Sequence, residues 1–130
     1  LMHQPDYPTP CVPTSLLVES GRLPSGMPEH VLDCGKTPDD FSRDKFIAYA
    51  DKISPPNNRI HAGAKPGRLY MPILVNRQEF IDIGMYPECN PPGTTGDKDL
   101  IRRYVEAGYQ HVTALGSVVY HVQTGEQRWP

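Results

Sequence analysis

The side chains best suited to chemistry gather in the last third of the chain. Gly96-Asp97-Lys98-Asp99-Leu100-Ile101-Arg102-Arg103 opens with two carboxylates and closes with two guanidinium groups. Phe80-Ile81-Asp82-Ile83-Gly84-Met85-Tyr86 precedes it, and Gly116-Ser117-Val118-Val119-Tyr120-His121 follows and ends in an imidazole. Taken singly, these residues have ordinary explanations. Acids in a first helical turn stabilise the positive end of the helix dipole. Asp99 and Arg103, four apart, make a surface ion pair on one helix face. His121 alone reads as a satisfied strand histidine, and His111 as a structural one. The same groups can also work: a carboxylate within hydrogen-bond reach takes a proton from a hydroxyl, and a neutral imidazole beside carboxylates ligates a divalent cation. A small metal site built from His111, His121 and nearby acids is therefore one reading. His3, His30 and His61 sit in loops without close partners.

The elements that must position these groups follow from spacing. Asn76 caps a short helix, with Glu79 as its capping-box partner; Phe80, Ile81 and Ile83 lie on it, and Gly84 stops it. Residues 86–96 form a long irregular loop, of a length that usually serves a function. Asp97 to Ala107 is a second helix, with Leu100, Ile101, Tyr104 and Val105 as its apolar stripe and Gly108 as its stop. Tyr109 to Val122 is rich in β-branched and aromatic residues and interrupted by Gly116, which predicts two short strands or one bent strand. Residues 69–122 thus form the motif-bearing core. Upstream, Leu69 to Val75 contains Pro72 and reads as a short or edge strand, and residues 59–68 as an exposed loop. Thr37-Pro38-Asp39-Asp40 predicts a helix start, continued by Phe41, Ile47, Tyr49, Ala50 and Ile53 for about four turns and ended at Ser54-Pro55-Pro56. Residues 1–36, with Pro5, Pro8, Pro10, Pro13, Pro24 and Pro28, read as a loop-rich lead-in. Its one apolar run, Ser15 to Val18, is a strand or a helical turn.

The bulk composition sets outer bounds. The chain has 130 residues, 38 % hydrophobic and 22 % charged, which suits one domain with a modest core. Its 15 prolines and 11 glycines favour a loop-rich α/β chain, α+β-like in character, over a helical bundle. The net charge is −2 and no Lys/Arg stripe occurs, so a nucleic-acid partner is not indicated. Cys11, Cys34 and Cys89 show no CxxC spacing and read as reduced thiols in a reducing compartment. No apolar run approaches the roughly 18 residues of a transmembrane helix. The opening Leu1-Met2-His3-Gln4-Pro5 suggests a chain that begins inside a longer protein. The expected location is cytoplasmic, with any membrane association supplied by missing regions.

In order and spacing, the three late pieces resemble the C-terminal half of family-two-like GT-A nucleotide-sugar glycosyltransferases. In that family a Phe-containing helix ends in a Gly-Gly-Tyr or Gly-Gly-Phe turn. A loop then leads to a Glu-Asp-x-Asp-Leu helix start with an Arg three residues after the Leu; the helix closes with Gly-Tyr or Gly-Trp, and a strand ends in Ser-x-Val-x-His. Here Gly84 matches the second glycine of the turn, and Asp97 and Asp99 match the acids. Leu100 with Arg103, Gly108-Tyr109, and Ser117 to His121 match the rest. The resemblance covers about a third of the chain. Gly96 stands where a Glu is common, and Met85 replaces a small residue. Residues 1–68 share only a loop-rich character. The family's nucleotide-binding half, with its Asp-x-Asp after an apolar strand, has no counterpart; Asp97-Lys98-Asp99 opens a helix and is not that motif.

The resemblance implies a partial GT-A fold and transfer of a hexosyl group from a nucleotide-diphosphate sugar donor to a hydroxyl of a carbohydrate or other acceptor, with inversion. This chain would supply the acceptor side and be inactive alone. Asp97 would be the catalytic base. Gly84, Met85, Tyr86, Thr95, Gly96, Asp99 and Arg103 would bind substrate, with loop 86–96 closing over it. His121 would ligate Mg2+ or Mn2+, shared with a missing N-terminal half, where the cation meets the charge developing on the leaving diphosphate. The competing class is a non-catalytic interaction domain whose Pro-rich loops dock a partner. It predicts a self-contained fold with no open apolar face on the first strand. Trp129, near the end, reads as a packing aromatic.

Overall fold

A stretch of apolar and small residues that alternates weakly, and is satisfied on both sides, becomes a strand covered on both faces. This is the case for β1 (Cys11–Glu19), in which eight of nine residues are buried. The structure is a computed structural model that describes residues 7–21, 30–86 and 96–122. Within them the fold is α/β: three α-helices, one 3-10 helix and a four-stranded mixed sheet. The remaining strands are β2 (His30–Val31), β3 (Ala64–Pro66) and β4 (Gln110–His121), in the order β2-β1-β4-β3. The helices are α1 (Arg43–Ile53), α2 (Arg77–Asp82) and α3 (Gly96–Glu106), and the 3-10 helix spans Pro56–His61. Among the described residues no helix is long and apolar enough to cross a membrane.

The expected lead-in therefore contains a nine-residue strand. Pro13 is tolerated in it because a proline lacks only the N–H; its carbonyl accepts from Leu74 N at 3.0 Å. The segment expected as a short or edge strand, residues 69–75, makes a single antiparallel bridge, Ile73 to Thr14. Residues 59–68, read as loop, hold the end of the 3-10 helix and β3.

The chain divides into two compact units. The first comprises Leu1–Ser15 and Gly63–Ala114. Its principal core is Val12 against Leu100, Ile101 and Tyr104 of α3, with Tyr70, Met71, Ile73, Val75, Phe80, Ile83 and Tyr109 packed around them. Leu100, Ile101 and Tyr104 recur at helical spacing, so one face of α3 is apolar, and burying each such side chain stabilises by about 1.5–3 kcal/mol. A smaller cluster joins Tyr7, Cys11, Val112 and Ala114 with Ala64. β3 pairs antiparallel with β4 in the register Ala64–Ala114 and Pro66–Val112.

The second unit comprises Leu16–Ala62 and Leu115–Pro130. β2 runs parallel to β1, Val18 opposite His30. The helix expected from Thr37 starts only at Arg43, after Ser42. The reason is local. Thr37 N and Thr37 Oγ1 both donate to Asp40 Oδ1, at 2.7 and 2.8 Å. This turn consumes the capping groups before the helix begins. The Thr37 backbone bond also holds the Asp40 carboxyl below its ordinary value. α1 then ends at Ser54 before Pro55-Pro56, as the sequence predicts. Phe41 and Phe46 pack on Tyr120, with ring centroids 5.3 and 5.7 Å away. The Tyr120 hydroxyl donates to Gly35 O and accepts from Cys34 N.

Candidate functional site

Both helices that carry the late motif end in the same way. After α2, Gly84 N donates to Ile81 O (3.1 Å) and Met85 N to Phe80 O (2.9 Å). After α3, Gly108 N donates to Val105 O and Tyr109 N to Tyr104 O, both at 3.0 Å. These are paired six-to-one and five-to-two bonds, which require a left-handed residue; Gly84 at φ 100 and Gly108 at φ 97 supply it. Met85 continues in the left-handed region at φ 63, where a side chain costs roughly 1–2 kcal/mol.

Arg103 holds that turn. Its Nη1 donates to Gly84 O at 2.8 Å and to Met85 O at 2.9 Å. The ion pair expected between Asp99 and Arg103 forms instead with Arg102, whose Nη2 lies 2.7 Å from Asp99 Oδ1. Asp99 is enclosed and Arg102 largely exposed, so one arginine serves the helix start and the next serves the turn. Tyr86, following the turn, lies against the first residue of α3: a Cβ on Gly96 would overlap the Tyr86 hydroxyl. This gives a steric reason for glycine where the resembling family carries Glu. Asp97, in the first turn of α3, accepts a bond from Lys98 N at 2.8 Å. Gly84, Met85, Tyr86, Gly96, Asp97, Asp99 and Arg103 thus all belong to the first unit; Tyr86 brings the turn against the first residue of α3, and Arg103 ties it to the last turn of that helix. Thr95, and loop residues 87–95 with it, lie outside the described residues, as do Cys89, His3 and Trp129.

His121 belongs to the second unit. Its Nδ1 is 2.8 Å from Glu19 Oε1, with the glutamate side chain 3 % exposed and the imidazole 33 %. Sequence reasoning missed Glu19, which closes an apolar strand and carries no motif. Among the described residues no three His, Cys, Asp or Glu side chains gather into a group. What these residues can offer Mg2+ or Mn2+ is thus a single imidazole, with a carboxylate on its other nitrogen, an arrangement common behind metal-ligating histidines. Alone it does not make up a cation site. His111 is held differently. Its Nε2 lies 3.0 Å from Leu69 O and 3.1 Å from Thr14 Oγ1, and its ring stacks on Tyr70 at 5.7 Å where a Cβ on Gly67 would fall.

Glu79 also departs from expectation. Asn76 caps α2 alone, accepting from Gln78 N and Glu79 N. Burial, followed by the charge of the nearby Glu79 carboxylate, raises the Tyr109 pKa. Burial, then the Glu79 charge, pushes Tyr104 up to about 12. In the second unit Ser117 lines a cleft of about 240 Å³ with Phe46, Ile47 and Ala50. Its charged lining pair, Asp51 and Arg59, is ion-paired at 2.7 Å. No family model matches the chain, and no curated protein or solved structure matches it.

Proposed function

We propose that this chain is the acceptor side of a GT-A-type glycosyltransferase that moves a hexosyl group from a nucleotide-diphosphate sugar to an acceptor hydroxyl. The observation that carries the reading is the approach of Tyr86 to Gly96, which sets the Gly84–Tyr86 turn against the Gly96–Asp97 helix start across residues 87–95. A loop-to-helix junction presents a carboxylate beside backbone groups, which suits a base that takes a proton from a sugar hydroxyl as that hydroxyl attacks the anomeric carbon. Asp97 takes this role and the exposed Tyr86 offers a face for a sugar ring. Arg103 acts as a positioning residue.

The test on this chain is acceptor mapping. Titration with mono- and oligosaccharides, read by amide shifts, is expected to move Gly84 to Tyr86 and Gly96 to Asp99 together. Shifts confined to other residues would contradict the proposal. One observation favours the second reading, an interaction domain: β1 is covered along its length, so it offers no open apolar face. Saccharide-independent binding of a protein partner at the same turn would support that reading instead.

A further inference from the structure

Phe46, Ile47, Ala50 and Asp51 of α1 are spaced one and four apart, so they share one face of that helix. In the second unit this face borders the cleft of about 240 Å³, whose other walls are Arg59 of the 3-10 helix and residues 116–118 of β4. Gly116 allows the 3-10 helix to lie so close: a Cβ there would overlap the Arg59 carbonyl oxygen, and glycine inside a strand marks such a backbone approach. The Arg59 guanidinium is fastened at two points, Nε donating to Ser54 O at 2.9 Å and Nη2 to Asp51 Oδ1 at 2.7 Å. A guanidinium has five N–H donors and a carboxylate two acceptor oxygens. Three donors of Arg59 and the Oδ2 of Asp51 therefore have no partner among the described residues. Both side chains are partly open, 34 % for Arg59 and 44 % for Asp51.

The chemistry of this lining selects its ligand. An anion is repelled by Asp51 and a cation by Arg59, so a neutral molecule suits the pair. Donors beside an acceptor match adjacent hydroxyls, each of which both gives and takes a hydrogen bond. Phe46, Ile47, Ala50 and Val118 supply an apolar wall, against which the C–H face of a ring can rest. The volume lies below the range of pockets for drug-sized ligands and has room for one ring. We propose that this cleft binds a single pyranose sugar, whose vicinal hydroxyls bridge Asp51 and Arg59 while its C–H face rests on the apolar wall. The proposal stands apart from the Asp97 reading, because its residues belong to the second unit and the acceptor turn belongs to the first.

The probes are the methyl pyranosides of glucose, galactose and mannose, titrated into the 15N-labelled chain. Cyclohexanol, a ring with one hydroxyl, and benzoate, a ring with a negative charge, are the controls. At least one pyranoside is expected to shift the amides of Asp51, Arg59, Gly116 and Val118 saturably, and neither control to do so. Arg59→Lys loses the planar fork and is expected to weaken that binding roughly 10-fold, as the loss of one charged hydrogen bond would. No saturable shift from any pyranoside overturns the proposal, as does equal saturation by cyclohexanol or benzoate, or wild-type affinity in Arg59→Lys. Should Arg59→Lys fail to fold, Asp51→Asn, of the same shape without the charge, carries the test: weaker binding is expected, and wild-type affinity overturns the proposal. Amides of residues 84–86 and 96–99 report on the acceptor turn in the same spectra, so a response at one set without the other sinks one reading and leaves the other.

Discussion

Replacing Arg103 by alanine removes the link between α3 and the turn after α2. The guanidinium donates twice from Nη1, to Gly84 O at 2.8 Å and Met85 O at 2.9 Å. A shielded hydrogen bond from a charged donor nets about 1.5–3 kcal/mol. These two are solvent-exposed and share one nitrogen, which brings the pair down to about 1–2 kcal/mol in all. Part of that offsets the left-handed Met85, at φ 63, so the turn is expected to open locally when the bonds are lost. At roughly 4 °C per kcal/mol for a chain this long, Tm falls by about 4–8 °C. Since the chain has two compact units, a single melt is not assumed to be two-state. Amide exchange at Gly84, Met85 and Tyr86 therefore accompanies the melt and is expected to lose protection first. A Tm within about 1 °C of wild type, with protection of these amides unchanged, would refute the reasoning.

Other substitutions probe the rest of the account. Tyr104 is 2 % exposed and its hydroxyl has no partner among the described residues; Tyr104→Phe is therefore expected to stabilise by about 1 kcal/mol, read from the urea midpoint, and an equal loss would contradict it. Gly116→Ala would drive a Cβ into the Arg59 carbonyl oxygen, and such overpacking against backbone is expected to cost about 1–3 kcal/mol in the same assay. Burial lowers the His111 pKa, against a Leu69 carbonyl bond that raises it. Its folded value thus lies below the unfolded one, so its contribution to stability is full above about pH 6.5 and is lost as pH falls through the folded value. His111→Gln is expected to flatten that limb of the stability–pH curve, and an unchanged slope would assign it to other groups.

Much of this architecture could be read along the sequence where local chemistry alone decides it. α3 and its Gly108 stop, the Asn76 cap and the end of α1 before Pro55 all depend on neighbours within a turn or two, and each lies where expected. β4 forms one strand from Gln110 to His121, one of two outcomes its composition allowed. What escaped was set by distant partners. Of β1 the sequence offers only Ser15 to Val18, as a strand or a helical turn, because prolines crowd its start; yet Pro13 needs only an acceptor role, for which Leu74 supplies the N–H from far along the chain. Thr37 and Asp40 had the types of a helix start but bonded each other. Arg103 was assigned to Asp99 by spacing, whereas two carbonyls 18 and 19 residues upstream outcompeted it. Glu19 gave no signal because nothing local distinguishes it from a strand-end surface acid.

The central claim is tested most directly by glycosyl transfer in the polypeptide that carries this chain. Nucleotide-diphosphate hexoses are supplied with Mn2+ and a saccharide acceptor pool, and transfer is compared in wild type and Asp97→Asn. The account predicts transfer in the wild type and a fall of about 10²–10⁴-fold in Asp97→Asn, with Tm unchanged. Transfer retained at wild-type rate in Asp97→Asn, or no transfer from any hexose donor, would contradict it.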